Sequence, residues 1–300
     1  MARGVRESEA KGRLTPARIN RRRFLRLVGT AGLVTLGVDS LLIEPVRPRL
    51  VRREISLRRW PAQMDGFTIA LLSDFHYDPV FSIHPIKSAV EIAKGLRPDL
   101  IVLTGDFVTV PLVGSDVNAA SAAEPCAQLL SRLQAPHGVW AIMGNHDAFS
   151  DPRRVTSALL AHGIPVLSNL STPIERNAGR FWLAGVEDVS RNMADLPTAL
   201  RRVPANEAVV LLAHEPDYAD YVSQYPVDLQ LSGHSHGGQV RLPLIPPLYL
   251  PDLAKKYYLG LYRIGDLTLY TNAGLGTIRL PMRLNCPPEV TLITVRRSGV

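Results

Sequence analysis

Eight side chains in this 300-residue sequence could hold metal ions or move protons, and they arrive in short clusters. These are Asp74 with His76, Asp106, Asn145 with His146, His214, and His234 with His236. One divalent ion in a catalytic site typically takes three or four protein ligands plus water. Eight candidates exceed that need and fit two ions. Mixed oxygen and imidazole ligation without thiolates favours Mn²⁺, Zn²⁺, Fe or Co²⁺ over calcium and over iron–sulfur clusters. Two such ions about 3.5–4 Å apart can share a carboxylate, activate a water and clamp a phosphoryl group for in-line displacement. The two cysteines, Cys126 and Cys286, are too few for a disulfide framework or a four-cysteine site and read as separate buried thiols.

Each cluster closes an apolar run of strand length. The runs at 68–72, 100–103, 139–143, 209–213 and 229–231 each end in one cluster, and three more lie at 181–185, 267–270 and 290–295. Helical patterns fill 85–96, 122–133 and 152–161, and Pro216 opens another to about 224. Such alternation predicts an α/β architecture with buried sheets, whose strand carboxyl ends collect ligands. Gly105, Gly144 and Gly233, beside the candidate ligands, are expected to allow sharp turns there. His84, His137 and His162 end no strand and read as structural.

The net charge of +7 would ordinarily raise the question of a nucleic-acid partner. Residues 1–38 hold nine Lys/Arg against two acids, which accounts for all of it. The other 262 residues balance 25 basic side chains with 25 acidic ones, so no nucleic-acid footprint is expected on the folded part. The charged head leads through Arg21, Arg22, Phe24 and Leu25 into a run of 12 uncharged residues, 27–38, which Asp39 ends. That run is shorter than the ~18–20 residues needed to cross a membrane, unless Leu41–Ile43 extend it as an anchor. It resembles a twin-arginine export signal, which implies the translocation machinery as a partner and the cell envelope, periplasm or outer face of the cytoplasmic membrane as the destination.

In order, Asp74-x-His76, Gly105-Asp106, Gly144-Asn145-His146-Asp147, His214 and Gly233-His234-x-His236 resemble the five motifs of the calcineurin-like metallophosphoesterases. The likeness covers about residues 65–295. Gly237-Gly238-Gln239 and the stretch 274–277 are similar to a bacterial exported phosphodiesterase branch. The resemblance implies a four-layer α/β sandwich of two mixed sheets flanked by helices. It also implies a division into a signal or anchor (1–45), a lead-in (46–64) and a catalytic domain (65–297). Asp74, His76 and His236 would hold one metal, Asn145, His214 and His234 a second (Mn, Zn or Fe), and Asp106 would bridge them. A metal-bound hydroxide would be the nucleophile and His146 the proton donor. Many members have an Asp that orients this histidine where the chain has Thr109, and Asp147 is expected to alternate away along an extended chain.

The Pro-rich apolar stretch 242–251 follows His236 closely. It reads as an irregular connection, or as a lip for an acylated substrate or membrane surface, with Arg241 a candidate for binding phosphate. The expected activity is cleavage of P–O bonds in a small phosphodiester or lipid substrate. The alternatives are hydrolysis of a lipid-linked pyrophosphate of the UDP-2,3-diacylglucosamine type and a non-catalytic scaffold.

Overall fold

The structure, a computed structural model, describes residues 20–110 and 116–299. The chain divides into two units, residues 1–38 and 39–300. In the first, helix α1 (Arg21–Val38) carries Arg21, Arg22, Phe24 and Leu25 in its opening turns and buries none of its side chains. The head before residue 20 lies outside the described residues. A π-helical turn (Asp39–Ile43) and a 3₁₀ turn (Glu44–Val46) follow in sequence. The 26-residue helical stretch Arg21–Val46 is long and apolar enough to cross a membrane. The 12-residue reading was therefore too short: Asp39 does not end the helical backbone, and Leu41–Ile43 extend it.

The second unit contains two sheets. The first is ordered β1-β11-β2-β3-β4, from β1 (Arg49–Leu57), β2 (Phe67–Leu72), β3 (Leu100–Leu103), β4 (Val139–Ala141) and β11 (Glu289–Arg297). The second runs β5-β6-β7-β8-β10-β9, from β5 (Leu170–Arg176), β6 (Gly179–Gly185), β7 (Val209–Leu212), β8 (Leu229–Ser232), β9 (Gly260–Ile264) and β10 (Leu267–Thr271). β2, β3 and β4 are parallel, as are β6, β7, β8 and β10, while β11 runs antiparallel to β2. Both sheets are mixed.

Burial on both faces explains why β3 (Leu-Ile-Val-Leu) and β7 (Val-Val-Leu-Leu) are apolar throughout. Between the sheets Phe181 lies against Phe67, ring centroids 5.3 Å apart, and Trp60, 4.7 Å away, within a core that includes Leu71, Val102, Val210 and Leu231. The outer face of the first sheet is covered by α2 (Ile83–Leu96), α3 (Ala123–Leu130) and α5 (Pro152–Ala161). That of the second is covered by α6 (Leu196–Leu200) and α7 (Ala219–Val222). The result is the expected four-layer sandwich. Segment 46–64, expected as a lead-in, instead supplies β1, which pairs in parallel with β11 along its whole length.

Candidate metal centre at the strand carboxyl ends

The carboxyl ends of β2, β3 and β4 in one sheet and of β7 and β8 in the other meet along one edge of the sandwich. All eight candidates arrive there. Asp74, His76 and His236 form one group, His76, Asp106 and His146 a second, and Asp106, His214 and His234 a third, with ligand atoms in each group within 4.8 Å of one another.

The backbone at this edge is strained. Asp74, His76, Asp106, His234 and His236 have φ of 52°, 41°, 57°, 67° and 51°, the left-handed region that ordinary side chains avoid. Each such residue costs of order 1 kcal/mol, and clustering of this kind marks functional sites. The i, i+2 motifs Asp74-x-His76 and His234-x-His236 have the same pattern, both outer residues left-handed. Of the three glycines expected to turn the chain, Gly105 does so, with φ 94°. Gly144 has φ −101° and is needed for space: a Cβ there would come within 2.6 Å of the Asp106 amide nitrogen.

Asp106 sits at the centre. Its Oδ1 accepts the His146 backbone N–H at 2.9 Å. Its Oδ2 lies 3.3 Å from His76 Nε2 and 3.2 Å from His214 Nε2. The Asp74 carboxylate accepts the His234 amide at 2.9 and 3.1 Å and lies 3.6 Å from His236 Nε2. His214 Nδ1 is 2.6 Å from the Thr104 carbonyl, a bond that keeps a proton on Nδ1 and turns Nε2 toward Asp106. His234 Nε2 likewise faces the Asp252 carbonyl at 2.9 Å, leaving Nδ1 for the site.

Burial and mutual charge set the protonation of this cluster. Burial pushes His76 down to about 3, His234 down to about 4 and His236 well below its usual value, so all three stay neutral. Burial also drives Asp74 up to about 6. It acts upward on Asp106 too, but the surrounding imidazoles of His214 and His146 outweigh it and hold Asp106 well below the carboxylate range. Against its own burial, His214 is held well above its usual range by Asp106 and Asp74.

Three buried atoms here, Asn145 Oδ1, His214 Nε2 and His236 Nδ1, have no hydrogen-bond partner. Leaving a buried polar atom unpaired costs about 1–3 kcal/mol, and His76 Nε2 and His236 Nε2 face each other at 3.0 Å. Divalent cations would satisfy these nitrogens and oxygens together, so the donor set fits metal.

His146 is held differently from expectation. Its Nδ1 accepts the Val110 backbone N–H at 2.9 Å, whereas the Thr109 hydroxyl lies 3.2 Å from His76 Nδ1. A backbone amide thus orients the histidine, and the hydroxyl serves His76, a neighbouring candidate ligand. Asp147 does point away from the cluster, though not along an extended chain. It lies in the short helix α4 (Asn145–Phe149), where its carboxylate caps the backbone N–H groups of Phe107, Val108 and Gly144 at 2.9–3.1 Å.

A cleft of about 360 Å³ opens over the cluster, lined by Asp106, Thr109, Asn145, His146, His234 and His236 with Tyr249, Pro251, Ile278 and Arg279. Arg241 is not among the lining residues; its amide is tied to the Leu284 carbonyl. Among the described residues, the arginine at the cleft is Arg279, which donates to the Tyr249 hydroxyl at 2.9 Å and lies over its ring at 4.1 Å. Arg279 closely follows the Gly-rich stretch 274–277, a position no motif marked. His84, His137 and His162 stand outside the metal groups, His162 pairing with Glu124 at 2.7 Å. Cys126 and Cys286 are separate free thiols.

Residues 67–238 match the profile of the family described as calcineurin-like phosphoesterase. The chain belongs to this family. Among its relatives, it is 33% identical over 290 residues to the Bacillus subtilis (strain 168) protein named uncharacterized metallophosphoesterase YkuE, covering 94% of this chain and 99% of that one. It is 32% identical to phosphodiesterase YaeI of Escherichia coli (strain K12), over 92% of this chain and 98% of the relative. A zebrafish (Danio rerio) transmembrane protein with metallophosphoesterase domain is 31% identical over 93% of this chain and 63% of its own length. As a member of this metallophosphoesterase family the protein is a phosphoric ester hydrolase.

Proposed function

We propose that the protein is a phosphodiesterase with a dinuclear metal site, acting at the outer face of a membrane. The observation that carries the reading is Asp106 Oδ2, poised almost equally between His76 and His214, each of which belongs to a separate ligand group. Asp74, His76 and His236 would hold one ion and Asn145, His214 and His234 the other, with Asp106 between them. Bound there, divalent ions (Mn, Zn or Fe) supply Lewis-acid stabilisation of the developing phosphoryl charge and activate water.

The chain's own residues do the rest. The Val110 amide occupies His146 Nδ1, so the ring carries its proton on Nε2. From there it can donate a hydrogen bond to the charge developing on the phosphoryl group and its leaving oxygen. Giving the proton up would leave an imidazolate, so this ring stabilises that charge and does not transfer the proton. Arg279 brings a cation to the cleft wall for a non-bridging phosphate oxygen. The relative named as a phosphodiesterase supports a diester over a monoester.

The basic residues before α1 favour retention of that end on the cytoplasmic side, with the catalytic unit outside. Arg21-Arg22 followed by Phe24-Leu25 fits export by the twin-arginine machinery, with 1–45 as signal or anchor. The exposed apolar loop after His236 keeps a second reading, a lipid-linked pyrophosphate substrate of the UDP-2,3-diacylglucosamine type. A non-catalytic scaffold is disfavoured, because the candidate ligands and His146 are all present in the sequence and lie at one edge.

The test is turnover of bis-p-nitrophenyl phosphate against p-nitrophenyl phosphate by Mn²⁺-loaded protein, with metal content measured in parallel. Preferential cleavage of the diester with about two metals per chain is expected. Metal-loaded protein inert toward both substrates would end the enzymatic reading.

A further inference from the structure

The unit 39–300 exposes sixteen large hydrophobic side chains among the described residues, and ten fall in just four segments: 41–42, 80–81, 242–249 and residue 280. Scattered exposed leucines are ordinary, but a contiguous set beside a cleft calls for a partner. Leu244, with φ 67°, is fully exposed, and Leu248 and Leu280 are about two-thirds exposed.

Hydrogen bonds from residues in or beside two of these segments, and a groove shared by the others, converge on one loop, residues 276–286. Gln239 donates to the Ile278 and Leu280 carbonyls at 3.1 and 3.2 Å and accepts the Ile278 amide at 2.9 Å. Arg279 binds Tyr249 at the end of the apolar stretch. On its other side the Ser40 carbonyl accepts the Arg283 amide at 2.9 Å, and the Glu44 carboxylate accepts the amides of Asn285 and Cys286. Leu41 and Phe81 share a groove with Pro281. The same loop therefore lines the catalytic cleft through Ile278 and Arg279, holds the apolar stretch, and grips residues 40–46. Those residues belong to the membrane-length helical stretch itself, with no linker in the sequence between.

We infer that this apolar rim seats in the surface of the bilayer crossed by the N-terminal helix, and that the substrate is a phosphodiester carried by a membrane lipid. The acyl chains stay at the rim while the headgroup phosphate enters the cleft past Arg279. The inference rests on the phosphodiesterase reading for its chemistry. A soluble substrate has no use for exposed Leu244, Ile245 and Leu248 in the loop that leads to Tyr249 and Pro251 of the cleft, whereas an interfacial one must be met by apolar groups at the depth of the headgroups.

The experiment uses the full chain reconstituted in phosphatidylethanolamine–phosphatidylglycerol vesicles, with turnover of a vesicle-borne lipid p-nitrophenyl phosphodiester compared with soluble bis-p-nitrophenyl phosphate. The double variant Leu244→Ser, Leu248→Ser should lose about tenfold or more on the lipid substrate, the soluble rate staying within about twofold. Equal losses on both substrates, or no loss on the lipid one, would overturn the inference. A second readout needs no turnover: in Leu248→Trp, the new indole should be quenched by lipids brominated along their acyl chains. An unquenched indole would also overturn it. Wild-type protein silent toward the soluble diester, together with a quenched indole in the Leu248→Trp variant, would count against the phosphodiesterase reading and leave the membrane seat standing.

Discussion

The floor and the rim of the cleft are built by opposite means. The floor is largely buried, its candidate ligands held by strand ends of two sheets. Five of them are in left-handed conformations, and the rings of His214 and His234 are aimed by the carbonyls of Thr104 and Asp252. The rim is made of irregular loops at 242–249 and 276–286 with exposed apolar tips, outside any sheet and held by side-chain bonds such as those of Gln239 and Arg283 to backbone carbonyls. Chemistry on a phosphoryl group tolerates little positional error, which justifies strain in the floor. Choice of substrate needs surface, and loops supply that at small cost in stability. The two regions should therefore fail differently when altered.

The largest effect is expected at Asp106. Asp106→Ala should lose bound metal and about 10⁴-fold or more in diesterase rate, read by elemental analysis and turnover. Next comes His146→Ala, which should keep its metal and lose about 10²–10³-fold in rate, because it removes only a hydrogen bond to the charge developing on the reacting phosphate. If this variant also lost its metal, His146 would belong to the ligand set and the division of roles within the floor would fall.

Edge and centre explain how much was legible in sequence. All eight strands read from the sequence exist, and the three others among the described residues, β1, β5 and β9, are all at sheet edges. Their solvent-facing sides demand polar residues, as in Arg-Leu-Val-Arg-Arg-Glu-Ile-Ser-Leu of β1, so no continuous apolar run announces them. The floor was legible for a related reason: its ligands terminate buried runs and are of rare chemical types. The rim was not. Arg279 and Tyr249 reach the cleft through a tertiary contact between distant loops, and an arginine in a loop carries no signal of where it points. The bond to His146 was hidden because its donor is the backbone of Val110, which any residue but proline supplies.

Between floor and rim, Arg283 is fully buried with no carboxylate partner among the described residues and donates to the carbonyls of Ala273, Gly274, Gly276 and Cys286 at 2.6–3.2 Å. Arg283→Met would strand those carbonyls and should lower stability by about 3 kcal/mol, measured by denaturant unfolding. A loss below about 0.5 kcal/mol would show that the loop does not depend on this tie.

Metal affinity should separate the two halves of the floor by pH. Asp74 is raised to about 6 and His214 well above its usual value, so both must shed a proton to bind metal. A group with a raised pKa competes with metal more strongly as pH falls. Affinity at the His214 half should drop about tenfold per pH unit already at neutrality, and at the Asp74 half only below about 6. Calorimetric metal titrations from pH 8 to 5 would show the two slopes; a pH-independent affinity would contradict the protonation pattern. The smallest effect belongs to the rim: Arg279→Ala should raise KM about tenfold with little change in kcat and no change in metal content.

The position of β11 bears on when this protein can exist at all. Residues 289–297 lie between β1 and β2, so the first strand made has no sheet to join until the last has left the ribosome. Asp74 feels this directly: the loop behind it, at Gly274, ties its carbonyl to the Glu289 amide that opens β11. Synthesis and assembly are thus separated in time. The metal-binding edge closes only once residue 297 is free, and any passage across a membrane in the folded state must wait for translation to reach that point.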